Sequence, residues 1–105
     1  MFVEIQCLNC CRKHIGAAHA PLGEYVSGRY PENFWKAIGN LWLAELHTAI
    51  KWPNLSKAIE AQRVEMVDDD SFWPDLDGLL KIATDCAKQE VQNINKEQKN
   101  SRRKI

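Results

Sequence analysis

The segment PENFWKAIGNLWLAELHTAIKW, residues 31–52, decides the fold of this chain. Pro31 and Glu32 favour a helix start, because proline has a preset helical φ and an early carboxylate suits the positive end of the helix dipole. Pro53 follows the segment and cannot continue a hydrogen-bond ladder. Most apolar side chains of the segment share one wide arc of the helical wheel. The pattern predicts a long, apolar central helix that begins at Pro31 and ends at Trp52.

One carboxylate interrupts this apolar arc. Glu45 projects between Phe34 and Ile38 on the helical wheel. A buried carboxylate needs a partner, because an unpaired one costs several kcal/mol. His14 and His19 are candidate neighbours, and a structural lysine would serve as well. Glu45 is therefore either a candidate ligand-binding residue or part of a structural ion pair.

Three further helices follow from apolar periodicity. The first is predicted at about residues 10–26, with a kink near residues 17–21 because Pro21 lies inside the pattern. The third follows Pro53 and ends near Val67. The fourth, which Asp75 can cap, ends near Ile94. These helices predict an all-α, four-helix bundle-like domain over residues 1–95, followed by a basic, flexible tail over residues 96–105.

Composition excludes several classes of protein. The chain has 105 residues and no formal net charge, so there is no overall basic field that would recruit nucleic acid. No apolar run is long enough to predict a membrane span. The start of the chain lacks the pattern of a secretory signal, so the four cysteines predict a reducing, cytoplasmic compartment.

The cysteines at the start of the first helix resemble half of a zinc site. Cys7, Cys10 and His14 have ligand types and spacing that zinc accepts, but the usual second pair is missing. The alternative is that reduced cysteines pack as small apolar groups. We expect zinc to be absent or substoichiometric and predict no cofactor.

A second candidate site lies in the same turn. Arg12, Lys13 and His14 would place positive charge and donors beside free backbone N–H groups, which favours a phosphate or carboxylate. Tyr30 and Trp35 offer faces that could stack on a base. The alternatives are a solvated polar face for the basic residues, and the core or an oligomer interface for the tryptophans.

Motifs of metal-dependent enzymes are incomplete. A di-metal helical bundle needs Glu-x-x-His on two helices, and the sequence has none. Glu65-x-x-Asp68 matches only the second half of the motif expected of an all-helical nucleotide pyrophosphohydrolase. A metal-dependent nucleotide hydrolase is therefore the least favoured of three interpretations, and the other two are the binding proteins described below.

Several spaced motifs resemble a pattern in small, largely uncharacterised phage-encoded helical proteins. They are Cys7-x2-Cys10-x2-Lys13-His14, then Glu24, Gly28-x-Tyr30-Pro31 and Gly39-x-Leu41-x-x-Ala44-Glu45, within a resemblance that covers roughly residues 7 to 66. A histidine commonly follows the second glycine in that pattern, whereas this chain has Asn40. The resemblance implies a binding role, since some small phage proteins are helical oligomers that sequester nucleotide signals of host antiviral defence.

These observations favour a non-enzymatic binding protein, expected to form a homo-oligomer and to sequester a small nucleotide in the host cytoplasm. The alternative is a zinc-stabilised adaptor that binds a host protein. The predicted ligand-binding residues are Arg12, Lys13, His14, Tyr30, Trp35, Asn40 and Glu45.

Overall fold

A computed structural model describes residues 6–28, 31–69 and 71–103, with side chains at all of these positions except 26, 27 and 95–103. Every regular element in these ranges is helical, which confirms the all-α class. The helices are α1 (Leu8–Ala17), α2 (His19–Gly28), α3 (Pro31–Leu46), α4 (Pro53–Asp68) and α5 (Leu76–Arg103).

The predicted first helix is divided into α1 and α2 at Ala18. Its N–H bonds to the carbonyls of Ile15 and Gly16, which tightens the last turn of α1. Pro21 has no N–H to offer the carbonyl of Ala17, so the ladder cannot continue through this point. The break therefore lies inside the interval where a kink was expected.

A central helix that stays regular as far as Trp52 is not confirmed, because α3 ends at Leu46 and residues 47–51 form turns. Hydroxyl groups take the carbonyls that another helical turn would need. Thr48 Oγ1 donates to the carbonyls of Ala44 and Glu45 at 3.0 and 3.2 Å. Ser56 Oγ, from α4, donates to the Glu45 carbonyl at 3.0 Å. Such side-chain bonds compete with the helical ladder.

The core lies where α3 meets its neighbours. Helix α3 packs against α1, α2 and α4, and α5 covers α1 and α4 from the other side. One contiguous cluster of buried apolar side chains draws on all five helices. Its most enclosed large members are Ile15, Leu41, Leu55, Ile59, Met66 and Leu79.

The outer side of α3 is not wrapped by other described helices. Trp35 and Trp42 are more than half exposed there. Helix α3 therefore keeps an apolar surface that no other described helix covers. None of the described helices combines the length and the apolar character needed to cross a membrane.

Candidate functional site

A groove of about 410 Å³ lies between α1 and α5. Arg12 lines it from α1, and one face of α5 supplies the rest. The α5 residues recur at spacings of three and four, so they share a helix face. They are Thr84, Ala87, Lys88, Val91 and Gln92.

The chemistry of this groove suits an anion attached to an apolar body. Arg12 and Lys88 are exposed cations that face one space from two helices. Ala87 and Val91 form an apolar strip, and Thr84 adds a hydroxyl group. Among the described lining residues there is no carboxylate. Ligand pockets typically combine such an apolar surface with a few polar groups.

The predicted Arg12–Lys13–His14 set is divided between two sides of α1. Successive residues on a helix turn by about 100°, so Arg12 and His14 point in nearly opposite directions. Arg12 lines the groove with α5, whereas His14 contacts Asn40 of α3. Lys13 is exposed. The structure thus brings Arg12 to one site and His14 with Asn40 to another.

The His14 cluster has a defined hydrogen-bond direction. The Asn40 amide nitrogen donates to the Lys36 carbonyl at 3.1 Å, which fixes the amide orientation. Asn40 Oδ1 therefore accepts from His14 Nδ1 at 3.1 Å. The rings of His14 and His47 stack with centroids 5.6 Å apart. The hydrogen bond to Asn40 therefore uses the Nδ1 proton of His14, and Nε2 is the other polar atom of the ring.

Glu45 pairs with Arg63 of α4 rather than with a histidine. Arg63 Nη2 donates to Glu45 Oε1 at 3.1 Å, and Arg63 Nε forms the closest contact with Oε2. Burial raises the pKa of Glu45, and the guanidinium offsets only part of this rise. The hydrogen bond to Glu45 raises the pKa of Arg63. Glu45 thus holds α3 against α4 and does not line the α1–α5 groove.

Tyr30 and Trp35 were predicted to stack on a base, and the structure describes only Trp35. Tyr30 lies outside the described residues. Trp35 lies on the outer side of α3, where its ring meets Phe34 edge-on at 5.3 Å between centroids. Neither tryptophan of α3 lines the α1–α5 groove, whose described lining is aliphatic and polar.

Of the three cysteines at the start of α1, Cys7 caps the helix. Cys7 is the N-cap residue, and its sulfur accepts a hydrogen bond from the Cys10 N–H at 3.2 Å. Bonds with Cys10 lower the pKa of Cys7, and the same pairing raises the pKa of Cys10. Burial raises the pKa of Cys11 to about 12. Within the part of the chain that the structure describes, no three His, Cys, Asp or Glu side chains come together as metal ligands.

A smaller cavity of about 250 Å³ lies at the start of α5. His19 Nε2 lies 3.5 Å from Asp77 Oδ1 at its edge, and Trp73 forms a wall. Asp75 Oδ1 accepts from the Gly78 N–H at 2.9 Å, which confirms the predicted cap of this helix. Its acidic lining makes this cavity unsuitable for an anion.

Lys88, Thr84 and Gln92 were not among the residues predicted for the site. Their spacing on α5 was visible in the sequence, but the pairing of α5 with α1 was not.

Comparisons with models of protein families, with curated proteins and with solved structures returned no match.

Proposed function

We propose that this chain is a non-enzymatic binding protein that holds a small anionic ligand of nucleotide size in the α1–α5 groove. The observation that carries the proposal is that Arg12 of α1 and Lys88 of α5 line the same groove beside an apolar strip. A guanidinium can bind two phosphate oxygens at once, and an ammonium adds a second charge. Two cations on rigid helices favour one phosphate position over a diffuse attraction.

The size and lining of the groove support a ligand larger than a free phosphate. Its volume of about 410 Å³ falls within the range of small-molecule sites. Ala87 and Val91 would cover one side of a base or sugar, while Thr84 and Gln92 would pair with its polar atoms. Binding without turnover is what a nucleotide-sequestering phage protein requires, in line with the resemblance in the sequence. In this proposal the chain acts in the cytoplasm of a host cell.

Titration calorimetry with mononucleotides, cyclic dinucleotides and inorganic phosphate tests the proposal. We expect at least one nucleotide to bind more tightly than phosphate. Arg12→Ala and Lys88→Ala should each weaken that binding about tenfold or more, because each removes a charged hydrogen bond worth about 1.5–3 kcal/mol.

Lys13→Ala is the matched control, because Lys13 lies next to Arg12 on α1 but does not line the groove. It should leave the affinity unchanged. If Lys13→Ala weakened nucleotide binding and Lys88→Ala did not, the site would lie at the Arg12–Lys13–His14 turn instead. No heat of binding with any nucleotide at about millimolar concentration would contradict the proposal.

A further inference from the structure

The outer face of α3 carries an apolar stripe formed by Trp35, Gly39, Trp42 and Leu46, in which Gly39 is half-buried and the three larger residues are exposed. These residues are spaced by four, three and four positions, so they follow one line along the helix. Trp35 is 58% exposed, Trp42 is 57% exposed and Leu46 is 37% exposed. These side chains form one continuous apolar patch on the helix, and the largest apolar patch of a monomer is often functional.

Gly39 forms a notch in this stripe. A Cβ atom added at Gly39 would meet nothing within 4 Å, so the packing of the single chain does not require a glycine there. Glycine is also less favourable than alanine inside a helix. Its place between two large exposed rings opens room for a side chain from another molecule.

We propose that the α3 stripe is the interface of a twofold dimer, in which it packs against the α3 stripe of a second copy in antiparallel orientation. An antiparallel pair centred between Gly39 and Trp42 sets each Trp42 over the partner's Gly39. It also sets Trp35 opposite the partner's Leu46. Each large ring then faces a small or medium residue, as interdigitated packing requires.

A parallel pair in register lacks this complementarity. It would place Trp42 against the partner's Trp42 and leave an empty space between the two Gly39 residues. Empty space at an interface forfeits dispersion contacts. The order of large and small residues along the stripe therefore selects the antiparallel arrangement.

The area of the stripe is that of a weak, reversible dimer interface. Because a tryptophan buries up to about 250 Å², the two half-exposed rings with Leu46 and the adjoining Leu43 offer roughly 400 Å² of apolar surface per chain. Two copies bury roughly 800 Å² of it, and the exposed flanking side chains of Glu32 and Lys36 extend the contact toward the ~1,000 Å² expected of a specific interface. The interface is of modest size, so the dimer should dissociate on dilution.

Sedimentation velocity over about 1–200 µM, a range that spans dissociation constants of modest interfaces, tests the dimer. We expect the wild-type chain to change from monomer to dimer within this range. Trp42→Lys should raise the dissociation constant at least about 100-fold and leave a monomer. Gly39→Leu should weaken the dimer similarly, because its side chain fills the notch that receives Trp42.

Two variants are matched controls. Trp73 is 56% exposed, like Trp42, but lies before α5, so Trp73→Lys should leave the dimer intact. Gly16 lies on α1, and a Cβ atom added there would also meet nothing within 4 Å. Gly16→Leu therefore controls for changing a helical glycine. Circular dichroism melting of every variant separates loss of the dimer from loss of the fold. A wild-type monomer at the highest concentration, or an oligomer that persists in both folded α3 variants, would overturn the proposal.

Discussion

The Glu45–Arg63 ion pair places two charges at the edge of the apolar core, where water solvates them only in part. The Glu45 carboxylate is nearly buried, while the Arg63 guanidinium keeps some access to water. Loss of one partner would leave the other charge without compensation, which costs more than the pair itself contributes. Together the two residues fix how α4 lies against α3.

Arg63→Ala should lower the free energy of unfolding by about 3 kcal/mol, because Glu45 would remain buried without its partner. The double variant Glu45→Met with Arg63→Met should recover most of this loss, since two apolar groups of similar length replace the pair. Urea unfolding of the three chains measures the effect. Lys57→Ala, at an exposed position of the same helix, should change little. If Arg63→Ala and Lys57→Ala changed the free energy of unfolding equally, the ion pair would not stabilise the fold.

The ionisation of Glu45 should also make stability depend on pH. Burial raises the pKa of Glu45 in the folded chain above the unfolded value of 4.5. The folded state therefore holds the Glu45 carboxyl proton more firmly than the unfolded state does. The resulting contribution to the free energy of unfolding is complete below pH 4.5 and is lost as the pH rises through the folded pKa of Glu45. The free energy of unfolding of the wild type, relative to Glu45→Gln, should fall as the pH rises from 4.5 through the folded pKa of Glu45. A difference that instead rises with pH would mean that Arg63 outweighs burial.

The sequence showed that Glu45 needed a partner but could not show which one. Glu45 points into the apolar arc of its helix, and that fact follows from periodicity alone. Arg63 lies 18 positions later, on the inner face of a helix whose rotation depends on tertiary packing. His14 was a reasonable alternative by residue type, yet it contacts Asn40. Contacts between helices are set by packing angles that a single sequence does not encode locally.

At the level of elements, the connection between α3 and α4 is held by the residue before Cys7. Gln6 Nε2 donates to the Leu46 carbonyl at 3.0 Å. Gln6 Oε1 accepts from the N–H groups of Ile50 and Lys51 at 2.9 and 3.1 Å. The Cys7 N–H donates to the His47 carbonyl at 2.9 Å. Gln6 and Cys7 therefore satisfy backbone groups left open where α3 ends.

Gln6→Ala should loosen this connection. It removes three hydrogen bonds at a partly exposed position, so we expect a loss of about 1–2 kcal/mol in the free energy of unfolding. Residues 47–52 should also become more sensitive to limited proteolysis, because local opening there becomes easier. Gln89→Ala, at an exposed position of α5, is the control and should change neither property. Equal digestion of the two variants would show that Gln6 does not hold the connection.

For the whole molecule, periodicity predicted the helical class and the interior sides of the helices, but not the neighbours of α5. The buried positions Cys11, Ile15 and Leu79 follow spacings that are visible in the sequence. Helix α5 is amphipathic, and its stripe would fit several partners equally well. Its contact with α1 is what creates the groove between Arg12 and Lys88. The proposed site thus depends on a helix pairing that only the folded chain reveals.

The division of α5 into a packed half and an outer half bears on the predicted tail. Its buried and partly buried apolar residues end at Ala87, whereas Val91 and Ile94 are more than half exposed. The helix itself continues to Arg103, so the backbone of most of the predicted tail is helical. The side chains from residue 95 onward lie outside the described set. Among the side chains that the structure describes, those that pack α5 onto the core therefore lie in its first three turns.

Removing residues 96–105 should consequently leave the fold intact. The core and the groove both lie before residue 95, so the melting temperature should change by no more than about 2 °C and nucleotide binding should persist. Ending the chain after Thr84 is the contrasting variant. It removes the packing of Cys86 and Ala87 and should lower the melting temperature strongly. If the shorter deletion instead lowered it sharply at low salt but little at high salt, the basic tail would be pairing with acidic residues such as Asp68 and Asp69, because salt screens exposed charges.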